Sequence, residues 1–129
     1  MKKYIGTKHI EAEPMTMGEA YEKNLLQAGR VPNESEKNNA GYHVKYEDGY
    51  ESWSPAAPFQ RAYMVADTPL DRMVIEYDEL KEKIDKLDVF LKSEKFKALD
   101  ERVKGLLSSQ YHIMVAYSIT LSERMRLME

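Results

Sequence analysis

The chain of 129 residues contains no cysteine, which excludes disulfide bonds, thiol catalysis and cysteine-ligated zinc. No run of residues approaches the ~18 apolar residues that a membrane-spanning helix needs. The three histidines are far apart, and the six glycines are scattered among separate turns, so neither a histidine metal pair nor a glycine-rich phosphate loop is present. The N-terminus lacks the apolar segment of a secretion signal. We therefore expect a cytoplasmic protein with no membrane segment, metal or cofactor.

Charges of the two signs nearly balance, with 19 Lys and Arg against 22 Asp and Glu and a net charge of -3. No global positive field would attract nucleic acid, so binding through Lys2, Lys3, Lys8 and Lys45 is the weakest function considered. No serine has a base beside it in any recognisable motif, and we expect no enzymatic activity. A mass of 15.0 kDa allows one ordinary domain or two very small ones.

Residues 1–66 carry mixed signals that predict a small α+β module. Alternating side chains predict a strand within residues 3–12. Thr16 and Glu19 have capping-box spacing, which predicts a helix over residues 17–28 with a stop at Gly29. Ser54 and Pro55 are typical of a cap and a first helical residue, so a further short helix should return Phe59 and Tyr63 to the sheet.

Asp48 and Gly49 separate two alternating segments and predict a two-residue hairpin loop. In that register Val44 faces Trp53, and one face carries Tyr42, Val44, Tyr46 and Trp53. Tyr50 then lies on the opposite face with His43 and Lys45. An exposed aromatic beside a cation suits a planar anionic ligand such as a nucleotide, and it suits a protein partner equally well.

Residues 67–129 predict an antiparallel helical hairpin that begins at the Thr68-Pro69 cap. One seam contains Met73, Tyr77, Leu80, Ile84, Leu87 and Leu91. The other contains Val103, Leu107, Gln110, Met114, Tyr117, Leu121, Arg124 and Met128. Apolar residues remain outside both seams, namely Val89, Phe90, Leu106, Ile113, Ile119 and Leu127. Two helices alone bury little surface, so we expect a homo-oligomer formed through the C-terminal helices.

Gln110, Tyr117 and Arg124 are seven residues apart in succession and therefore lie on one line of the second helix. They can set the hairpin register, with Arg124 emerging near a helix end. They can instead bind a ligand in an oligomer, because arginine offers a fork for phosphate and tyrosine offers a stacking surface. The further candidate ligand-binding residues are Tyr77, Lys81 and Arg72 on the first helix and Tyr50 and Lys45 on the β-hairpin.

Three ordered segments of the first half, Lys3–Lys8, Pro14–Glu19 and Gly41–Pro55, together resemble a small module common in bacteriophage and prophage proteins. The second half is similar to a phage helical-hairpin family, and loosely to the hairpins of anti-CBASS and anti-Thoeris sponge proteins. The residues that carry this second resemblance are Leu87, Phe90, Leu91, Ser93, Glu94, Lys95, Phe96, Leu99, Leu106, Leu107, Gln110, Met114, Tyr117, Leu121 and Arg124.

These resemblances imply a phage anti-defence protein in the cytoplasm of an infected bacterium. It would bind and sequester a nucleotide-derived immune signalling molecule, cyclic oligonucleotide or ADP-ribose-type, without cleaving it. The alternative is a non-catalytic phage protein–protein interaction module that the helical hairpin multimerises. Calorimetric titration with nucleotide messengers separates the two functions.

Overall fold

The computed structural model describes residues 1–128 and has an α+β fold, as predicted. The strands are β1 (Glu11–Pro14), β2 (Gly41–Lys45) and β3 (Glu51–Pro55), and the helices are α1 (Met17–Glu22), α2 (Ala56–Ala62), α3 (Pro69–Leu91), α4 (Glu94–Lys97) and α5 (Glu101–Leu127). The chain divides into two compact units, Met1–Tyr63 and a second that begins at Met64. Glu129, which ends the predicted helical domain, lies outside the described residues. Within residues 1–128, no helix is long and apolar enough to cross a bilayer.

The first unit contains one antiparallel sheet in the order β1-β2-β3. The predicted strand over residues 3–12 is wrong for most of its length, since only Glu11 and Ala12 of that range are in β1. The physical reason is that β2 ends at Lys45, which pairs with Glu11, so residues before Glu11 have no β2 residue to pair with. The residues from Met1 to His9 are therefore exposed and have no regular structure.

Helix α1 begins at the predicted capping box, in which Thr16 and Glu19 bond each other's backbone. It ends after Glu22, earlier than the predicted stop at Gly29. Asn24 adopts a left-handed φ of 59°, and the Leu25 amide donates to the Ala20 carbonyl at 2.9 Å. This is a Schellman stop, and here asparagine fills the left-handed position that glycine usually takes.

The β-hairpin has a different loop from the predicted one. Between Tyr46 and Tyr50 only Gly49 has a positive φ, of 90°, and the Tyr46 amide donates to the Tyr50 carbonyl at 2.8 Å. Glu47, Asp48 and Gly49 thus form a three-residue loop, and the Asp48 carboxylate accepts the Tyr50 amide at 2.9 Å. One more loop residue shifts the strand register by one.

Because of that shift, Trp53 faces His43 and Val44 faces Ser52. The predicted pairing of Val44 with Trp53 is wrong, and Trp53 lies on the sheet face opposite to Val44. The prediction that Tyr50 shares a face with His43 and Lys45 fails for the same reason, because it is Trp53 that lies on their face.

Each sheet face of the first unit has its own packing. On the Val44 face, the Tyr42 ring stacks on Phe59 of α2 at 4.0 Å between ring centroids, which confirms that this helix returns to the sheet. On the other face, the indole of Trp53 covers Gly41, and its Nε1 donates to the Met15 carbonyl at 2.7 Å. Val44 is 1% exposed and anchors the small core.

The second unit pairs α3 with α5. Helix α3 begins at Thr68 with the predicted cap, and its predicted seam is confirmed, because Met73, Leu80 and Ile84 form the core with Leu121 of α5. Phe96 of α4 contacts Phe90 edge-on at 6.2 Å between centroids.

Five of the eight positions of the predicted α5 seam are wrong. Leu107, Met114 and Leu121 are buried or half-buried as expected, but Val103, Gln110, Tyr117, Arg124 and Met128 are exposed. The inward line lies one residue further along the chain, at Lys104, Tyr111, Ser118 and Met125. Ser118 accounts for the choice, since a small residue lets the helices approach and its hydroxyl donates to the Val115 carbonyl at 2.7 Å.

Candidate functional site

The predicted ligand residues of α5 lie on its exposed side, in a second heptad stripe that we call the outer stripe. Its members follow one another at alternating steps of three and four residues: Val103, Leu106, Gln110, Ile113, Tyr117, Thr120, Arg124 and Leu127. The large apolar members are between 42% exposed at Val103 and 76% exposed at Leu127. The stripe therefore combines apolar surface with three polar side chains capable of specific contacts.

Tyr117 and Arg124 form the best-defined part of this stripe. The Tyr117 hydroxyl donates a hydrogen bond to the Glu76 carboxylate of α3. This hydrogen bond is the main cause of a raised pKa of Tyr117, followed by burial and by the negative charge of Glu76, while the positive charge of Arg124 lowers that pKa. Arg124 is thus close enough to Tyr117 to act on it electrostatically.

The sequence pattern did not indicate Glu76 as a site residue. Its place next to Tyr117 depends on the register between α3 and α5, and an apolar repeat of seven residues fits several registers equally well. The only available signal was the neighbouring candidate Tyr77. Once Met73 and Leu80 are known to pack with Leu121, the position of Glu76 beside Tyr117 follows.

The other predicted ligand residues of the helical unit do not lie together beside Tyr117 and Arg124. Tyr77 packs against the hydrophobic core, and Lys81 is exposed one turn further along α3. Arg72 donates to the backbone carbonyls of Ala66 and Asp67, at 3.3 and 3.4 Å. Gln110 lies fourteen residues before Arg124, about 21 Å away along a helix that rises 1.5 Å per residue.

Tyr50 and Lys45 lie in the first unit. Tyr50 is 64% exposed and stacks on Tyr46 at 5.8 Å between ring centroids. The cation beside these rings is Lys8, whose Nζ lies 5.1 Å from the centroid of Tyr46, whereas Lys45 is an exposed residue at the end of β2. The structure thus offers an aromatic and cationic surface here, with Lys8 as the cation in contact.

A groove beside Trp53 in the first unit is a feature that the sequence did not indicate. It consists of two adjoining cavities of about 370 and 450 Å³, which share Met17, Arg30, Trp53 and Pro55. Hydrogen bonds from the Arg30 side chain and from the Asn33 backbone amide lower the pKa of the Glu36 carboxyl at one end of the groove. The predicted hairpin register placed Trp53 on the other sheet face, so the sequence could not predict this groove.

No group of three metal-ligating side chains has the geometry of a metal site within residues 1–128. His43 lies between two carboxylates, with its Nδ1 3.3 Å from Glu13 Oε1 and its Nε2 2.8 Å from Glu51 Oε1. Those carboxylates belong to β1 and β3, so the imidazole links all three strands of the sheet.

Comparison with known proteins gives one family match. Residues 67–127, which include α3 and α5, match the model of the Sequestin family. No curated protein and no solved structure matches the chain significantly. The family name denotes sequestration of a molecule, and the match fits a sponge-like anti-defence protein. The resemblance of the N-terminal segments to a phage module stays a prediction.

Proposed function

We propose that this chain is a phage anti-defence protein that binds and sequesters a nucleotide-derived immune signalling molecule without cleaving it. The ligand class is a cyclic oligonucleotide or an ADP-ribose-type messenger. The observation that carries the proposal is that the segment similar to Sequestin, residues 67–127, is the unit that contains Tyr117, Arg124 and Glu76 together.

The chemistry of these side chains suits such a ligand. Arg124 has a planar fork that can pair with two phosphate oxygens. Tyr117 remains 42% exposed while Glu76 accepts its hydroxyl, so its ring keeps surface on which a base can stack. Glu76 also has spare acceptor positions for a ribose hydroxyl or an exocyclic amine. A free phosphate would gain only the first of these contacts, which favours a complete nucleotide.

Sequestration requires tight binding in proportion to the amount of protein, and it requires no nucleophile or general base. Sequestration also requires no turnover. An arginine that binds phosphate and an aromatic ring that stacks on a base are therefore the kinds of contact that it needs. The proposed protein acts in the cytoplasm of the infected cell, where the immune signal is produced.

Calorimetric titration tests this function directly. The panel comprises cyclic dinucleotides, larger cyclic oligonucleotides and cyclic ADP-ribose isomers. At least one should bind the wild-type protein, and Arg124→Ala should weaken binding at least tenfold. Arg126→Ala is the matched control, because Arg126 lies on the same helix outside the outer stripe and pairs with Glu123 at 2.7 Å. Failure of the whole panel to bind would contradict the proposal.

A second function is favoured by the groove beside Trp53. Its apolar lining includes Leu25, Leu26 and Trp53, and polar groups of Gln27 and Arg30 lie beside them, so the groove can hold a peptide segment of another protein. In this alternative, the first unit binds a host or phage protein and the helical hairpin multimerises it. Affinity capture from infected cells is then done with the wild type and with Leu26→Glu as baits. The wild type should retain one partner protein in stoichiometric amount, and Leu26→Glu should retain none. Absence of such a protein would refute this alternative.

A further inference from the structure

We infer that the outer edge of β3 is a strand-binding surface, and that its occupant is the N-terminal segment of the same chain, residues 1–5, added as a fourth strand antiparallel to β3. This pairing lies within the first unit and is independent of the proposed function. The added strand covers the groove beside Trp53, so a partner protein that uses the groove has to displace it.

The outer edge of β3 carries free backbone groups. Tyr46 and Tyr50 form a hydrogen-bonded pair at the hairpin loop, and bonded pairs alternate along an antiparallel ladder. Ser52 therefore bonds β2, whereas the amides and carbonyls of Glu51 and Trp53 point away from β2. No group of residues 1–128 is hydrogen-bonded to these two amides or these two carbonyls. Such an edge is a template for another strand.

The groove beside Trp53 follows this edge. Its larger cavity, of about 450 Å³, contacts both Ser52 and Trp53. Side chains of consecutive strand residues lie on opposite faces, so the cavity extends across the strand edge. Its other wall is the loop from Leu25 to Arg30, which has no backbone hydrogen bond to β3 in the described part of the chain. A strand edge opposed by a loop leaves space for one extended segment and excludes a second sheet.

The opposite edge of the sheet, formed by β1, is a poorer template. The Met15 amide donates to the Gly41 carbonyl at 2.9 Å, so by the same alternation Ala12 and Pro14 point away from β2. Pro14 has no amide, which leaves the Ala12 amide as the outward donor of β1. A further strand therefore gains more hydrogen bonds at β3 than at β1.

The N-terminal segment is the occupant that the structure favours. Alternating side chains predict a strand within residues 3–12, but residues 1–9 have no regular structure and no strand beside them. Tyr4 and Ile5 are 89% and 93% exposed. Placement in the groove would bury part of both side chains and pair their backbone groups, so the segment and the edge each supply what the other lacks.

The path of the chain leads to the groove. Lys8 places its Nζ 5.1 Å from the centroid of Tyr46, and the Tyr46 ring stacks on Tyr50, which lines the groove. The chain before β1 thus already passes the end of the hairpin where the groove begins. A segment that enters the groove from this end runs antiparallel to β3, because β3 starts there.

The connection is long enough within one chain. A fourth strand beside β3 lies three strand spacings from β1, about 14 Å. The six steps from Ile5 to Glu11 span up to about 20 Å when extended. A tether this short also gives the segment a high effective concentration at the edge, which favours the same chain over a second copy.

Amide hydrogen exchange followed by NMR measures this pairing in the full chain. Alternate residues of a ladder strand are bonded, so either Tyr4 or Ile5 lies opposite Glu51, and proline at both positions prevents the pairing. The Glu51 and Trp53 amides should exchange about tenfold faster in the Tyr4→Pro, Ile5→Pro double variant than in the wild type.

Thr7→Ala is the control for this experiment, because Thr7 lies in the connection, and its exchange should equal that of the wild type. Exchange of the β2 amides should be equal in all three proteins, which shows that the sheet is intact. Equal exchange of Glu51 and Trp53 in the wild type and in the double variant would overturn the pairing.

A spin label on Lys3→Cys identifies the occupant, since the chain has no other cysteine. When one chain carries both nitrogen-15 and the spin label, the amide signals of Leu26 and Trp53 should lose most of their intensity. They should keep it when spin-labelled chains are mixed with nitrogen-15 chains that carry no spin label. Loss in the mixture would identify a second copy as the occupant, and no loss in either sample would show that the segment stays outside the groove. Either result would overturn the inference.

Discussion

Gly41→Ala should destabilise the first unit strongly, although it adds a single methyl group. A Cβ at this position would lie closer than 3.0 Å to two ring atoms of Trp53 and to the backbone carbonyl oxygen of Ser54. The indole cannot simply rotate away, because its Nε1 donates to the Met15 carbonyl at 2.7 Å. The Ser54 oxygen is part of β3 and cannot move without bending that strand.

The expected loss of stability comes from overpacking and from strain on the hydrogen bond that the indole donates to Met15. Overpacking in a well-packed region costs about 1–3 kcal/mol, and weakening one hydrogen bond adds about 1 kcal/mol, so we expect a loss of roughly 2–4 kcal/mol. For a unit of this size the loss corresponds to a melting temperature lower by roughly 10–30 °C. The total stability of such a unit is roughly 3–9 kcal/mol, so the substitution removes a substantial fraction of it.

Trp53 is the only tryptophan, so its fluorescence during urea unfolding reports this unit specifically. Gly6→Ala is the matched control, since a Cβ at Gly6 would meet no heavy atom within 4 Å, and its stability should stay within about 0.5 kcal/mol of the wild type. A Gly41→Ala variant as stable as the Gly6→Ala variant would refute the packing of Trp53 on Gly41 and the hairpin register behind it.

Two further predictions concern the second unit. Leu121→Ala removes a fully buried side chain from the core and should cost about 2–5 kcal/mol in urea unfolding followed by helical circular dichroism, while Leu127→Ala, exposed at 76%, should cost less than about 0.5 kcal/mol. Equal losses would show that the two leucines are wrongly assigned to core and surface. Because Glu76 raises the pKa of Tyr117, the folded unit favours the protonated phenol. This contribution to stability is present below the pKa of the unfolded tyrosine, near 10, and is lost as pH rises through the higher folded pKa. Glu76→Gln should lower the Tyr117 pKa in a carbon-13 NMR titration, and an unchanged titration would contradict the hydrogen bond.

Local chemistry was the part of the fold that the sequence predicted well. The capping box at Thr16 and the cap at Thr68 depend on residues within one helical turn, so they could be read without tertiary information. The α3 seam was also correct, since only one apolar line of that helix is continuous. The return of Phe59 to Tyr42 followed from a short helix placed directly after the hairpin.

The errors arose where two nearly equal alternatives compete. Asp48-Gly49 suits both a two-residue and a three-residue loop, and the single residue of difference moved Trp53 to the opposite sheet face. Likewise, α5 carries two adjacent heptad lines, and the line through Tyr117 looked as regular as the line through Ser118. Pattern alone cannot rank such lines, because the choice depends on which one allows the closer approach to α3.

Recovery of the bound molecule tests sequestration most directly. The wild-type protein is mixed with each messenger of the panel, free ligand is removed, and the protein is then denatured by heat. Mass spectrometry of the released material should show the intact messenger in stoichiometric amount with at least one member of the panel. Release of a cleaved product, or recovery of no messenger from any mixture, would contradict the account.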